Sequence, residues 1–432
     1  MLVAVVVAAV AGGAAGCGVS LHGQSLPITE PAVTSASATP IPLPTKPPIA
    51  VAPTPVPWTA PSTIAYMEPG AVSFPTAADG WVVGDACDPQ QDCETGVART
   101  SDGGASWAMV TTPVGPDPHS AELNLVAASS EDAWVWGTDS DGDTVFVATH
   151  DGGESWQPAE MSGPVVDMAV ADGTVWAVIG CAQDVSACVV SVVSAPVSGG
   201  AWTGLAPLPD VVQGAPALSS ALFDTRLVRS GTSAWLLDFI GGLEPPVAVR
   251  TDDGGLSWSS LSLPCIAVGT MILGASSAND LMLVCAADGT SSPAPQDVWT
   301  SSDGGAHWLL CSRDNEAGYS PPAANDGGLD NGGDPWGLAV ISSSTAWMIN
   351  DNEYPLVTRN GGVTWTAAPL PPALTTVWQG GGVLDVTFAD LMDGWIASEL
   401  GLWATSDGGA AWEYQPIIGP VPGWSASPGP TG

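Results

Sequence analysis

The chain has 432 residues, of which 44 are Asp or Glu and only 7 are Lys or Arg, giving a net charge of −37. So acidic a chain repels nucleic acid and anionic lipid head groups, which sets both aside as direct partners. Hydrophobic residues make up 45%, enough for a large core, and the length suits either two domains or one closed β-rich fold.

Residues 1–17 open with LVAVVVAAVAGGAAG, an apolar run too short for a membrane helix and of the length of an export signal. Ala14-Ala15-Gly16-Cys17 resembles a bacterial lipobox, which implies lipidation of Cys17 and an outer-face lipoprotein. Ala14 stands where that motif usually has Leu, and an ordinary cleaved signal or a short uncleaved anchor is the alternative. Residues 18–64 are rich in Pro, Thr and Ser, with TPIPLPTKPP and VAPTPVP at their heart, and are expected to form an extended tether. Trp58 is either part of an outer strand that helps close the domain or a linker residue on its surface.

From 65 to 420 the chain repeats itself. Thr100-Ser101-Asp102-Gly103-Gly104-Ala105-Ser106-Trp107 returns at Thr149–Trp156 (THDGGESW), Thr251–Trp258 (TDDGGLSW), Ser301–Trp308 (SSDGGAHW), Thr358–Trp365 (TRNGGVTW) and Thr405–Trp412 (TSDGGAAW). A worn copy, Ser198-Gly199-Gly200-Ala201-Trp202, makes seven. We call each copy a box. Its glycines permit the positive φ of a tight turn, its Asp accepts hydrogen bonds from turn amides, and its Trp lies against the turn. Asp102, Asp151, Asp253, Asp303 and Asp407, with Asn360 in the sixth copy, are therefore read as structural, as are Trp107, Trp156, Trp202, Trp258, Trp308, Trp365 and Trp412.

Successive box tryptophans are 49, 46, 56, 50, 57 and 47 residues apart. A second Trp precedes most boxes, at Trp81, Trp134, Trp176, Trp235, Trp347 and Trp395, with Leu281-Met282-Leu283 in its place in the fifth unit. Each unit reads as four short strands, and a four-stranded period of this length marks propeller blades. The expected fold is all-β, a seven-bladed β-propeller of four-stranded antiparallel blades over 65–420, followed by a Pro/Gly tail at 421–432.

The box resembles the Asp-box (BNR) repeat of sialidase-type propellers, S/T-x-D-x-G-x-S/T-W, with departures at Ser198, His307, Asn360 and Ala411. The Gly-Trp strand beside a TxDGGxxW box resembles the photosystem II assembly and stability factor propellers more closely than true sialidases. That resemblance implies the fold; it implies function weakly, because such propellers serve several purposes. A sialidase would need an arginine cluster and a Tyr–Glu nucleophile pair. Arg99, Arg250 and Arg359 are built into or beside boxes, which leaves only Arg226, Arg229 and Arg313. Hydrolysis by a carboxylate pair stays open, since no pair is singled out among so many acids.

In an exported chain, Cys87 with Cys93 and Cys181 with Cys188 are spaced to staple hairpin loops and lack zinc-site spacing. Cys265–Cys285 is the third expected bridge, leaving Cys311 free. His22, His119, His150 and His307 are scattered without metal-ligand spacing, so no metal or other cofactor is expected. Asp139-Ser140-Asp141-Gly142-Asp143 begins like a calcium loop but lacks its later Gly and Glu; it reads as a hairpin turn, with calcium as the alternative.

The functional expectation is an exported, monomeric, non-catalytic module of the cell envelope that binds an envelope protein or glycan and meets the membrane only through its lipid anchor. The alternative is a carbohydrate-active propeller. If each box caps the turn between third and fourth strands, all boxes share one face, and the long loops open on the other. Arg226, Arg229 and Arg313 are expected on that loop face as its mobile cations, with Asp326, Asp330 and Asp334 of the NDGGLDNGGD connection as binding candidates.

Overall fold

The computed structural model describes residues 64–110, 122–138, 144–159, 161–180, 190–209, 225–238, 247–265, 268–287, 296–313, 329, 335–350, 355–368, 383–398 and 401–419. They form seven four-stranded antiparallel sheets, each made of four strands consecutive in sequence, and contain no helix. Blade 1, for example, runs through Tyr66–Ser73, Gly80–Cys87, Cys93–Thr100 and Ala108–Met109.

The first strands of the blades are Tyr66–Ser73, Glu122–Ala127, Val165–Ala171, Arg226–Ser230, Val268–Ala275, Pro335–Val340 and Val383–Phe388. Each touches the first strand of the next blade, and the seventh touches the first, so these strands enclose an axis and the ring is closed. A second strand lies mid-sheet, covered on both faces by neighbouring blades. This explains why the second strands read as continuous apolar runs and not as alternating ones. In Thr174–Ile179, five of six residues are buried, and Trp81, Trp134, Trp235, Trp347 and Trp395 are among the largest fully buried side chains. The core therefore sits between blades: one cluster unites Trp81 and Val97 of blade 1 with Leu125 and Val147 of blade 2.

Among the described residues, no strand is exchanged to close the ring. Blades 7 and 1 are joined by packing and hydrogen bonds: Phe74 stacks on Trp395 with centroids 3.6 Å apart, Trp395 Nε1 donates to Gly103 O at 2.8 Å, and Met67 N donates to Ile417 O at 3.1 Å. Indoles and guanidinium groups do the same work elsewhere in the ring. Trp81 Nε1 and Arg99 Nη1 donate to Ser129 O and Ser130 O of blade 2, Trp235 Nε1 and Arg250 Nη1 both donate to Gly304 O of blade 5, and Arg359 Nη2 donates to Gly408 O of blade 7. Arg99, Arg250 and Arg359 are thus consumed in holding blade to blade.

Each intact box is a locked turn. In the first, Ser106 N and Thr100 Oγ1 donate to Asp102 Oδ1 at 2.8 and 2.7 Å, Ser106 Oγ donates to Asp102 Oδ2 at 2.6 Å, and Gly104 N donates to Thr100 Oγ1 at 2.9 Å. Gly103 and Gly104 have φ of 73° and 97°, which is why Gly-Gly is kept there. Asn360 fills the same role, accepting from Thr364 N through Oδ1 and donating to Thr364 Oγ1 through Nδ2. The worn copy of blade 3 has Ala195 and Val197 at the Thr and Asp places and lacks these side-chain bonds, yet its fourth strand, Thr203–Gly204, still forms.

Cys87–Cys93 and Cys265–Cys285 are bridged, with Cα atoms 4.0 and 5.9 Å apart. Cys311 is a correction to the sequence expectation: it too is disulfide-bonded and not free. Cys17, Cys181, Cys188, Trp58, the tether, the tail and the Asp139–Asp143 stretch lie outside the described residues.

Candidate functional site

The box turns identify the two faces of the ring. The first glycine of each intact box donates its N–H to the turn between the first and second strands of its own blade, as in Gly103 N to Ala78 O (2.8 Å) and Gly304 N to Asn279 O (2.9 Å). Both sets of turns therefore share one face. By antiparallel alternation, the second-to-third-strand loops and the blade-to-blade connections open on the other. In blade 1 that loop is stapled by Cys87–Cys93 and shaped by Asp88, whose Oδ1 accepts from Gln90 N and Asp92 N at 2.7 and 3.0 Å.

The box carboxylates have no acid–base work to do. Hydrogen bonds from the residue four places on hold Asp102 and Asp151 below the usual carboxylate range, and they lower Asp253 and Asp303 to about 2. Such groups stay ionised acceptors, the reverse of what a general acid requires.

The three candidate arginines separate. Arg229 is a correction: it lies at the box side, where its guanidinium sits 4.0 Å from the Trp176 ring centroid and donates to Thr174 O and Thr174 Oγ1 at 2.9 and 3.1 Å. Burial lowers its pKa to about 10, against the opposing pull of Asp172, so it is a packing element between blades 3 and 4 and not a mobile cation. Arg313 does stand at the loop-face end of its strand, Leu309–Arg313, but it is engaged by Asp297 through two bonds of 2.7 Å. Arg226 begins the first strand of blade 4 on the loop side, is exposed, and makes no hydrogen bond or ion pair among the described residues. Asp326, Asp330 and Asp334 lie outside them.

Strand register shows what Arg226 belongs to. The residue two places beyond each blade's second-strand Trp pairs with one first-strand position: Ala71, Asn124, Asp167, Arg226, Ile272, Gly337 and Asp385, counting from Met282 in blade 5. These seven positions form one level around the axis, two residues toward the loop side from the partners of the second-strand tryptophans. Three carry charge. Asp167 accepts from Met168 N at 2.8 Å and, across the blade boundary, from Leu227 N at 2.7 Å. Asp385 accepts from Val386 N at 2.8 Å through Oδ1. Both residues are half-buried and their carboxylates are crowded by the strands around them, so desolvation dominates and raises both pKa values, that of Asp385 to about 6. Arg226 opposes the rise at both, which places its charge within reach of blade 3 on one side and blade 7 on the other. The sequence reading missed this pair, although a lone Asp as third residue of two apolar first strands, VVDMAVA and VLDVTF, was the available signal.

The box side has clefts. One of about 500 Å³ lies between blades 2 and 3 beside the worn box, lined by residues including Trp134, His150, Pro158, Pro196 and Trp202. Another, of about 290 Å³, lies between blades 7 and 1 among Asp102, Asp393, Asp407 and Glu413. Among the described residues, no group of three or more His, Cys, Asp or Glu is placed to hold a metal ion.

No family model and no curated protein matches the chain. Solved structures do match. A YCF48 propeller bound to a D1 peptide is 17% identical over 80% of this chain and 93% of its own, with a TM-score of 0.50. YCF48 from Cyanidioschyzon merolae is 13% identical over 82% of this chain and 99% of its own, with a TM-score of 0.52. A xyloglucanase from Xanthomonas campestris is 16% identical over 80% and 66%, with a TM-score of 0.31. At these identities the first two establish a shared fold.

Proposed function

We propose that this propeller is a non-catalytic binding and assembly module exported to the cell envelope, carried on the Pro-rich tether from a lipidated Cys17, and that it takes a protein partner on its loop face. One observation carries the choice of face. The recurrent turns, indoles and arginines of the box side are spent on bonding within and between blades, whereas the loop-side level of the axis presents Arg226 beside Asp167 and Asp385. The YCF48 structure with its D1 peptide supports the reading, because a propeller of this fold serves there as a peptide holder. The repeat itself supports placing the chain among Asp-box propellers of the photosystem II assembly factor type.

The test is retention of partners from an envelope extract by the full chain, compared with a variant lacking residues 326–334 and with box-face variants, each with and without chelator. Loss on trimming the loop face supports the proposal, and loss from box-face changes alone refutes it. Loss on chelation assigns a calcium ion to the acidic loops. The second reading, a carbohydrate-active propeller, is tested by turnover of a glycan panel; turnover abolished by one carboxylate substitution would replace the binding role with catalysis.

A further inference from the structure

Asp167 and Asp385 occupy the same repeat position and differ in how fully they are satisfied. Both oxygens of Asp167 are engaged, Oδ1 by Met168 N and Oδ2 by Leu227 N of the next blade. Asp385 has only Val386 N on Oδ1, and its Oδ2 has no hydrogen-bond partner among the described residues. The neighbouring position in blade 6 is Gly337, where an added Cβ would lie 3.4 Å from Asp385 Oδ1, so that position brings no side chain against the carboxylate.

Arg226 stands at the equivalent level in blade 4, three blades before Asp385 and so on the other side of the axis. Its charge is felt at Asp385, but the two groups form no ion pair. Among the described residues, a guanidinium without a partner and a carboxylate with an unbonded oxygen thus stand at one level of the ring, on opposite sides of its axis. An exposed guanidinium and a desolvated carboxylate, each short of a partner among the described residues, are satisfied together by a molecule that brings an anion to one and a cation to the other.

We propose that the loop-side mouth of the axial channel binds a small zwitterion, a carboxylate on Arg226 and an ammonium on Asp385, with Asp167 flanking the guanidinium. The guanidinium fork matches a carboxylate through two N–H donors, and an ammonium supplies the donor that Asp385 Oδ2 lacks. The site uses only first-strand residues. It shares a face with the partner surface proposed above but does not depend on its loops, so the two readings fail separately.

Isothermal titration of the full chain with straight-chain ω-amino acids of increasing length, with acetate and methylammonium as single-charge controls, tests it. One length is expected to bind about tenfold or more tighter than either control, and Arg226→Gln or Asp385→Asn each to remove that gain. Asp407→Asn on the box face serves as the control variant. Arg226→Lys and Asp385→Glu, which keep both charges, are expected to shift the preferred length, and they keep the proposal testable where a neutral variant misfolds. The proposal is overturned if no amino acid outdoes the controls. It is also overturned if acetate or methylammonium alone accounts for binding, or if binding survives both neutral variants.

Discussion

Trp395→Phe probes the seam between blades 7 and 1, where the ring closes. The substitution removes the indole N–H that reaches Gly103 O at 2.8 Å across the seam between blades 7 and 1, and it trims a ring stacked on Phe74. Loss of a hydrogen bond to a half-buried carbonyl costs about 0.5–1.5 kcal/mol, and loss of part of an aromatic pair adds about 0.5–1 kcal/mol. Together they lower Tm by roughly 1–3 °C for a domain of this size. Two controls sharpen the reading. Trp235→Phe breaks the corresponding bond in mid-ring, to Gly304 O at 3.0 Å, but leaves that carbonyl its bond from Arg250 Nη1 at 2.9 Å, and is expected to cost less. Trp107→Phe removes an indole N–H that has no acceptor among the described residues, so it loses ring area but no hydrogen bond and costs less. Differential scanning calorimetry of the three variants decides. Equal losses for Trp107→Phe and Trp395→Phe would refute the claim that the indole bond, and not bulk packing, secures the seam.

Asp253→Ala is expected to destabilise the blade 4 box, whereas Asp253→Asn is tolerated, because Asn360 already makes the same turn in blade 6. With its pKa lowered to about 2 from the ordinary 3.8, Asp253 stabilises the fold above about pH 4, and that contribution is lost as pH falls through 2; acid unfolding of the Asn variant should lack this step. Asp385 carries the opposite sign. Its pKa, raised to about 6, favours the native state below about pH 4 and disfavours it as pH rises through 6, so Asp385→Asn should raise Tm at pH 8 and leave it unchanged at pH 4. Replacing both Cys87 and Cys93 by Ser opens a short loop and should cost about 2 kcal/mol, measurable by denaturant unfolding of variant and wild type without reductant.

The blades were legible because a box needs several residue types at fixed places: Gly-Gly for positive φ, Asp or Asn as turn acceptor, Trp as lid. Even the copy without Asp at Ser198–Trp202 was found through its glycines and Trp. The second-strand tryptophans were legible as a pattern, but their role as donors to the next blade was not, since it depends on which carbonyl lies across the boundary. The same limit explains the arginines. In the sequence Arg226 and Arg229 differ only by position, yet a shift of three residues along one strand separates the loop-side mouth of the axis from a buried seat over Trp176. Asp167 and Asp385, more than two hundred residues apart, share a level of the channel only through the ring. Pairing Cys311 needed distances that spacing does not supply.

Cross-linking with mass spectrometry on a captured envelope partner tests the choice of face most directly. With Lys46 the only lysine in the chain, the reagent has to be carboxylate-reactive. The account predicts links from the partner to Glu68, Asp85 and Asp297, in the loop-side halves of their strands, and to Asp88 and Asp92 in the loop between the second and third strands of blade 1. Links concentrated instead on Asp79, Glu131, Glu154, Asp252 and Asp390, on the turns beside the boxes, would contradict it.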